Sequence, residues 1–159
     1  MSRLATVLLF AFIVAIFSAC QEGLDPSAAQ KAVIYGTVRF ENEFPPDSLI
    51  KDIRVVAFKS YPPADIIGEV LSGEAIFSES LLPISGDTAD YKINVESLPA
   101  RFKYIAVARQ YGTLFEWDAI GVYTDDYINF SPLEIYASKG IGYRADIKVD
   151  FNNRPPQPF

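Results

Sequence analysis

The chain has 159 residues, with 14 lysine and arginine side chains against 20 aspartate and glutamate side chains, and its formal net charge is −6. This acidic balance excludes nucleic acid as a partner, because phosphate backbones repel a negative surface. The sequence contains no histidine, the commonest general base near neutral pH and the commonest zinc ligand. We therefore expect a protein that is not an enzyme, with no catalytic residue and no cofactor.

Residues 1–19 have the pattern of a secretory signal peptide. Arg3 supplies the positive start, and the stretch from Leu4 to Phe17 is apolar apart from Thr6. This apolar run is shorter than the roughly 20 residues that a membrane-spanning helix needs. We expect the chain to be exported and this segment to be removed.

The signal peptide ends in Ser18-Ala19-Cys20, which resembles the lipobox of bacterial lipoproteins, where cleavage falls before a cysteine whose sulfur carries diacylglycerol. The resemblance implies lipidation of Cys20, the chain's one cysteine, and attachment to a membrane. Gln21, rather than an aspartate, follows the cysteine, and by the same resemblance this favours the outer membrane of the bacterial cell envelope. The sequence leaves open whether the protein faces the periplasm or the outside. An ordinary signal peptide, cut near Ala19, is the alternative.

After the cleavage site, residues 20–31 are polar and small and predict a flexible tether. From residue 32 to 151 apolar and polar positions alternate in short runs bounded by proline and glycine, which predicts a β-domain without a long helix. Its eight predicted strands span residues 33–40, 53–59, 74–80, 91–95, 102–110, 115–123, 133–137 and 143–151. Residues 65–72 fit either a short helix or an edge strand. The tail 152–159 carries three prolines, which prevent it from joining a sheet.

Short strands of this kind predict an all-β fold, an antiparallel Greek-key-type β-sandwich of seven or eight strands. Residues 87–108 (DTADYKINVESLPARFKYIAVA) resemble the strand pair of transthyretin-like, carboxypeptidase-regulatory-like domains. That family has an Asp-Gly-x-Tyr turn before one strand and a Leu-x-Pro-Gly-x-Tyr corner before the next. Ala89 and Ala100 stand at the two glycine positions here. The resemblance implies a binding or accessory module.

Two other functions remain open. The 5-hydroxyisourate hydrolases share the transthyretin scaffold, but they depend on histidines and on a tyrosine-rich C-terminal tetrapeptide. This chain has no histidine and ends in residues 154–159 (RPPQPF), so a related hydrolase is the weaker alternative. A structural subunit of an envelope assembly is the other, with an exposed edge strand such as 133–137 pairing to a neighbouring protein.

Aromatic side chains in proline-braced turns are the candidate binding residues, because rigid rings form platforms for sugars or partner proteins. If the strands alternate in direction, loops 41–52, 80–89, 111–114 and 138–142 lie at the end of the domain opposite the tether. The predicted site for a protein or glycan ligand at that end comprises Phe44, Pro45, Pro46, Tyr111 and Phe115. The alternative for each aromatic residue is that it caps the core.

A later loop predicts a metal site. Asp125, Asp126 and Asn129 lie close together in the sequence, and carboxylate and amide oxygens are calcium ligands. These three residues predict half of a calcium site. The alternative is a solvated acidic turn.

Overall fold

A computed structural model describes residues 31–158 of the chain. The predicted signal peptide, Cys20 and the tether before Lys31 lie outside the described residues. Between residues 31 and 158 no helix is long and apolar enough to cross a membrane. The described part is mainly β-structure with one short α-helix, which confirms the predicted class.

Ten strands and one α-helix make up the described domain. The strands are β1 (Ala32–Glu41), β2 (Asp52–Phe58), β3 (Ile76–Phe77), β4 (Thr88–Val95), β5 (Ala100–Phe102), β6 (Tyr104–Gln110), β7 (Trp117–Val122), β8 (Ile135–Ala137), β9 (Gly142–Arg144) and β10 (Ile147–Asp150). The helix α1 spans Ile66–Leu71, and a 3-10 turn spans Asp47–Leu49. Asp65 caps α1 by accepting a hydrogen bond from Gly68 N at 3.0 Å, so the segment that the sequence left open is a capped helix.

The main sheet is mixed and curled into a half-barrel. Seven strands follow the order β3-β2-β6-β7-β10-β1-β4, and β9 pairs beside β1. β1 is antiparallel to β4 but parallel to both β9 and β10. The prediction of a wholly antiparallel sandwich is therefore wrong in its strand directions. β8 leaves the main sheet to pair with β5 in a separate two-stranded sheet, and this shifts the up-and-down order of the strands that follow.

β9 and β10 come from one predicted strand that bends at Ala145 beside β1. A side-chain carbon at position 36 would collide with the Ala145 carbonyl, so Gly36 allows a close backbone approach. Ala145 N donates to Tyr35 O at 2.8 Å, and the Tyr91 hydroxyl donates to Ala145 O at 2.6 Å. Both halves of the bent strand can thus pair with β1.

The main core lies on the face of the sheet that the small sheet covers, since Phe102 of β5 and Ile135 of β8 belong to it. A second, smaller cluster lies on the opposite face, where Ile66 and Val70 of α1 pack against residues of β2, β6 and β7. The strands β2 and β6 are consequently buried on both faces. Each fully buried aliphatic or aromatic side chain contributes about 1.5–3 kcal/mol to stability.

Candidate functional site

Several loops and the C-terminal tail meet at one end of the main sheet, which we call the distal rim. β6 runs in the same direction as β1, because β7 is antiparallel to β6 and to β10, and β10 is parallel to β1. By the same reasoning β3 runs with β6. The segments that follow β1, β3, β6 and β10 therefore all leave the sheet at the rim, opposite Lys31 at the start of β1. This confirms the predicted common end of loops 41–52, 80–89 and 111–114.

The prediction for loop 138–142 is wrong. Gly140 N donates to Lys31 O at 3.0 Å, so this loop lies at the end of the sheet where the tether enters. The cause is the departure of β8 into the small sheet, which reverses the expected direction of the next strands.

One part of the distal rim is closed by three rings, the aromatic cap, formed by Phe40, Phe44 and Phe151. The ring centroid of Phe44 lies 5.0 Å from that of Phe40 and 5.1 Å from that of Phe151. Phe44 and Phe151 pack against the main core, to which Phe40 belongs. Pro45 is half-buried beside them, and Pro46 is exposed. Phe44, predicted as a binding residue, thus faces inward and caps the core.

The neighbouring part of the rim is an open, polar cleft of about 610 Å³, here called the arginine cleft. Its walls come from the end of β6, the start of β7 and the C-terminal tail. The lining residues are Arg109, Tyr111, Asp118, Arg154, Pro155 and Gln157. Tyr111, a predicted binding residue, is 40% exposed here, and its ring centroid lies 5.7 Å from the guanidinium carbon of Arg109, within the range of a cation–π contact.

Two guanidinium groups converge on one carboxylate in the arginine cleft. Arg109 Nε donates to Asp118 Oδ1 at 2.9 Å, and Arg109 Nη2 donates to Oδ2 at 2.6 Å, which makes a bidentate pair. Arg154 Nη1 donates to the same Oδ2 at 3.0 Å. The Arg109 and Asp118 side chains are only 10% and 14% exposed, whereas Arg154 is 45% exposed. Two positive charges and one negative charge leave a local excess of positive charge on a chain whose net charge is −6.

A one-residue bulge in β7 places Asp118 opposite Arg109. The register between β6 and β7 shifts between Val107 and Ala108, because Ile120 of β7 has no partner on β6. Beyond this bulge Arg109 lies directly across from Asp118, so their side chains share one face of the sheet. Without the extra residue, the neighbour of Asp118 would face Arg109 and the bidentate pair would not form.

The C-terminal tail forms the outer wall of the cleft. β7 pairs with β10 only at Gly121 and Val149, so the start of β7 has no strand on that side. The Gln157 side chain takes this place: Ala119 N donates to Gln157 Oε1 at 2.8 Å, and Gln157 Nε2 donates to Ala119 O at 3.0 Å. Pro155 is buried next to it. The tail stays out of the sheet as predicted, but one side-chain amide bonds to β7 as a strand would.

The loop between β6 and β7 carries exposed apolar side chains beside the cleft. Leu114 is exposed, and Phe115 is 65% exposed, so this predicted binding residue faces solvent. The Glu116 carboxylate accepts from Thr113 N at 2.6 Å, and this bond holds the pKa of Glu116 below its usual range. Trp117 Nε1 donates to Leu114 O at 2.8 Å. These bonds fix the loop, so Phe115 is held outward.

The acidic loop after β7 bonds mainly to itself. Asp126 Oδ1 accepts from Ile128 N and Asn129 N, both at 3.0 Å, and Oδ2 accepts from Asn129 Nδ2 at 2.9 Å. The bond from Asn129 N is the main reason that the pKa of Asp126 is held below its usual range. In the part of the chain from 31 to 158, no group of three or more acidic or cysteine side chains is placed to hold a metal ion. The calcium site at Asp125, Asp126 and Asn129 stays a prediction, and this bonding favours its alternative, an acidic turn.

Two buried tyrosines differ in how their hydroxyls are bonded. The Tyr91 hydroxyl donates to Ala145 O, whereas the Tyr104 hydroxyl, in the second cluster, has no hydrogen-bond partner within the described residues. Burial raises the pKa of both phenols. The Tyr61 ring stacks on Tyr104 with centroids 5.0 Å apart, which closes that side of the cluster.

The sequence-based site lacked the charged residues of the cleft. Arg109 and Asp118 occur in consecutive predicted strands on either side of a short turn, and this spacing was the available signal. Charges in alternating strands usually mark a solvated face, and the bulge that pairs these two residues leaves no pattern in the sequence. Arg154 was not predicted as a site residue, because it lies in a tail for which the sequence predicted no structure.

The arginine cleft combines nearly buried charge, an exposed aromatic ring and open space, and it is the candidate site. Comparisons of the chain with family models, with curated proteins and with solved structures return no match. The candidate function therefore rests on the residues and their geometry.

Proposed function

We propose that the protein is a lipid-anchored component of the bacterial cell envelope, and that its β-domain is a non-catalytic binding or accessory module. Cys20 carries the lipid anchor, at the outer membrane, and the arginine cleft is the binding site for a protein or glycan ligand. The observation that carries the binding role is the convergence of Arg109 and Arg154 on Asp118 in an open cleft.

The position of the cleft supports this proposal. The chain enters the domain at Lys31, at one end of the main sheet, and the cleft lies at the other end, on the distal rim. A lipid attached at Cys20 would hold the entry end towards the membrane. A ligand in solution could then reach the cleft without meeting the bilayer.

The energetics of the cleft point the same way. Removing a guanidinium and a carboxylate from water costs several kcal/mol per ion, and an apolar replacement of a buried ion pair is often neutral or stabilising. A network such as Arg109, Asp118 and Arg154 is therefore a poor way to close a rim for stability alone. Charges that remain in an open cleft suit the recognition of a charged or polar ligand.

We also propose, as a finer description of the fold, that the β-domain is a transthyretin-like Greek-key sandwich. In support, residues 87–108, which carry the resemblance to that family, form β4, β5 and most of β6. Leu98 and Pro99 lie at the corner between β4 and β5. The parallel pairing of β1 with β10 departs from an antiparallel sandwich. The accessory roles of that family agree with a non-catalytic function.

Metabolic labelling with an alkynyl fatty acid tests the anchor. In a bacterium with lipoprotein-processing enzymes, the full chain should take up the label and sediment with the outer membrane. The Cys20→Ser variant should take up none and appear in the soluble fraction. An unlabelled native chain, or a labelled variant, would contradict the lipoprotein proposal. Protease added to intact cells then distinguishes the surface from the periplasmic face.

An NMR titration tests the binding site. The full chain, labelled and held in a mild detergent, is titrated with a panel of small anions and neutral sugars. We expect side-chain resonances of Arg109, Arg154 and Tyr111 to shift with at least one anionic compound. If the folded protein shows no shift at these residues with any compound, the arginine cleft is not its binding site.

A structural role by strand addition is the second candidate, because β8 pairs with β5 along one edge only. Charged neighbours weaken it: Arg101 pairs with Glu134 at 2.6 Å and lies over the Tyr136 ring at 4.9 Å, and such charges disfavour pairing at an edge. Purification in mild detergent separates the two functions. A structural subunit should elute together with a stoichiometric partner, whereas a ligand-binding module should elute alone.

A further inference from the structure

We infer that the ligand of the arginine cleft is an acidic sugar, whose carboxylate is held between Arg109 and Arg154 and whose ring lies against Tyr111. This inference rests on the proposed binding role of the cleft and names the class of ligand.

The unused hydrogen-bond donors of the two arginines favour an anion as the ligand of the cleft. A guanidinium has five N–H donors. Arg109 gives two of them to Asp118 and Arg154 gives one, and within residues 31–158 neither guanidinium has another partner. Both arginines line the open cleft, and an added acceptor reaches Arg154, which is 45% exposed, more readily than Arg109, which is 10% exposed. An anion would use these donors and neutralise the excess positive charge.

The size of the excess positive charge in the arginine cleft favours a carboxylate over a phosphate. Two arginines and one aspartate leave a single positive charge, which one carboxylate neutralises and a phosphate dianion would exceed. The planar fork of a guanidinium holds the two oxygens of a carboxylate, as the bond from Arg109 to Asp118 already shows, but it matches a phosphate equally, so the charge decides between the two.

The backbone around the cleft favours a sugar over the carboxyl terminus of a peptide. A peptide in an extended conformation would be held by main-chain hydrogen bonds to the free side of β7. Both backbone groups of Ala119 on that side are already bonded to Gln157. The remaining wall is the half-exposed ring of Tyr111, and an aromatic face beside polar donors suits the C–H face and the hydroxyls of a sugar ring.

Titration with a matched pair of sugars tests this inference. The probes are digalacturonate and its dimethyl ester, which has the same rings without the charge; an acetylated dialanine with a free carboxylate is the third probe. We expect digalacturonate to shift the Arg109 Nε and Tyr111 ring resonances of the full chain in detergent, and the ester to leave them unchanged. Arg154→Gln should raise the Kd of digalacturonate at least tenfold, since it removes a charge-assisted hydrogen bond.

Arg144→Gln is the matched control variant. Arg144 also pairs with one aspartate, Asp146, at 2.9 Å, but it lies outside the cleft, so this variant should bind digalacturonate as the native protein does. Backbone NMR spectra of both variants report whether they fold. Because Arg154 is half-exposed, its replacement should leave the fold intact.

Three results would overturn the inference. Equal binding of the dimethyl ester would mean that the charge is not recognised. Binding of the dialanine peptide without digalacturonate would replace the sugar by a peptide while the proposed function of the cleft survives. If a folded native protein binds none of the three probes and no other small anion shifts the cleft resonances, the inference and the proposed site fail together.

Discussion

The aromatic cap and the arginine cleft close adjoining parts of one rim by opposite means. In the cap, three phenylalanine rings, which carry no polar atoms, pack together over the main core. In the cleft, Arg109 and Asp118 lose most of their hydration. Their bidentate pairing, the bond from Arg154 to Asp118 and the Tyr111 ring beside Arg109 offset that loss. Rings alone suffice to close the rim, as the cap demonstrates. The charges of the cleft therefore need another explanation, and the proposed recognition of a ligand supplies one. The mutations below test how far the two regions differ.

The largest expected effect follows the removal of the central carboxylate. Asp118→Asn leaves two guanidinium groups, one of them nearly buried, with a single amide oxygen between them. We expect the free energy of unfolding to fall by about 3 kcal/mol, the lower end of the range for breaking a buried pair, because the cleft admits water. Urea denaturation measures this change.

The control for Asp118→Asn is Glu96→Gln, which breaks the exposed pair of Glu96 with Lys31. Its unfolding midpoint in urea should stay unchanged, since exposed pairs contribute little. If Asp118→Asn leaves the unfolding midpoint as unchanged as the control does, the cleft charges are solvated and the contrast with the cap disappears.

The next largest effect is expected in the aromatic cap. Phe44→Ala removes a half-buried ring that contacts Phe40 and Phe151, so we expect a loss of about 2 kcal/mol, somewhat below the cost of truncating a fully buried phenylalanine. Phe44→Leu retains most of the volume and should cost less than about 1.5 kcal/mol. Ligand affinity should not change in either variant. A loss of affinity without a loss of stability would return Phe44 to the binding site that the sequence predicted.

A smaller effect distinguishes satisfied from unsatisfied buried polar groups. Tyr91→Phe removes the hydroxyl bonded to Ala145 O and should destabilise the domain by about 1 kcal/mol. Tyr104→Phe removes a hydroxyl without a partner and should leave stability unchanged or slightly higher. Thermal unfolding of the two variants measures the difference. The opposite ranking would mean that Tyr104 has a bonding partner, such as an ordered water molecule.

The sequence predicted what depends on local alternation and on turn residues. Period-two patterns located the long strands β1, β2, β4, β6 and β7. The predicted strand 74–80 has only two strand residues, the predicted strand 143–151 is split into β9 and β10, and β5 was not predicted as a separate strand. The proline-braced turn at Pro45 lies on the rim as expected. The parallel pairing of β1 with β10 was out of reach, because it depends on β8 leaving the main sheet and on the close approach of Ala145 to Gly36. Neither event leaves a periodic signal.

The candidate site was predicted only in its exposed part. Tyr111 was found because an aromatic residue in a short turn is a recognisable feature. Arg109 and Asp118 were not, since one unpaired residue in β7 determines whether they meet. A site that two strands and a tail build together depends on register and tail position, which residue types alone do not encode.

The smallest expected effect concerns the second ring of the loop between β6 and β7. Phe115→Ser should change the free energy of unfolding by less than about 0.5 kcal/mol, because the ring is mostly exposed and the loop is held by bonds from Thr113 and Trp117. The affinity of Phe115→Ser for digalacturonate should also be unchanged, whereas Tyr111→Ala should lower this affinity. The reason is that, of these two aromatic residues, Tyr111 lines the cleft and Phe115 does not. Calorimetry on both variants measures the contrast. If Phe115→Ser weakens binding as much as Tyr111→Ala, the ligand contacts the whole loop, and exposure of a ring rather than its proximity to the arginines decides where binding occurs.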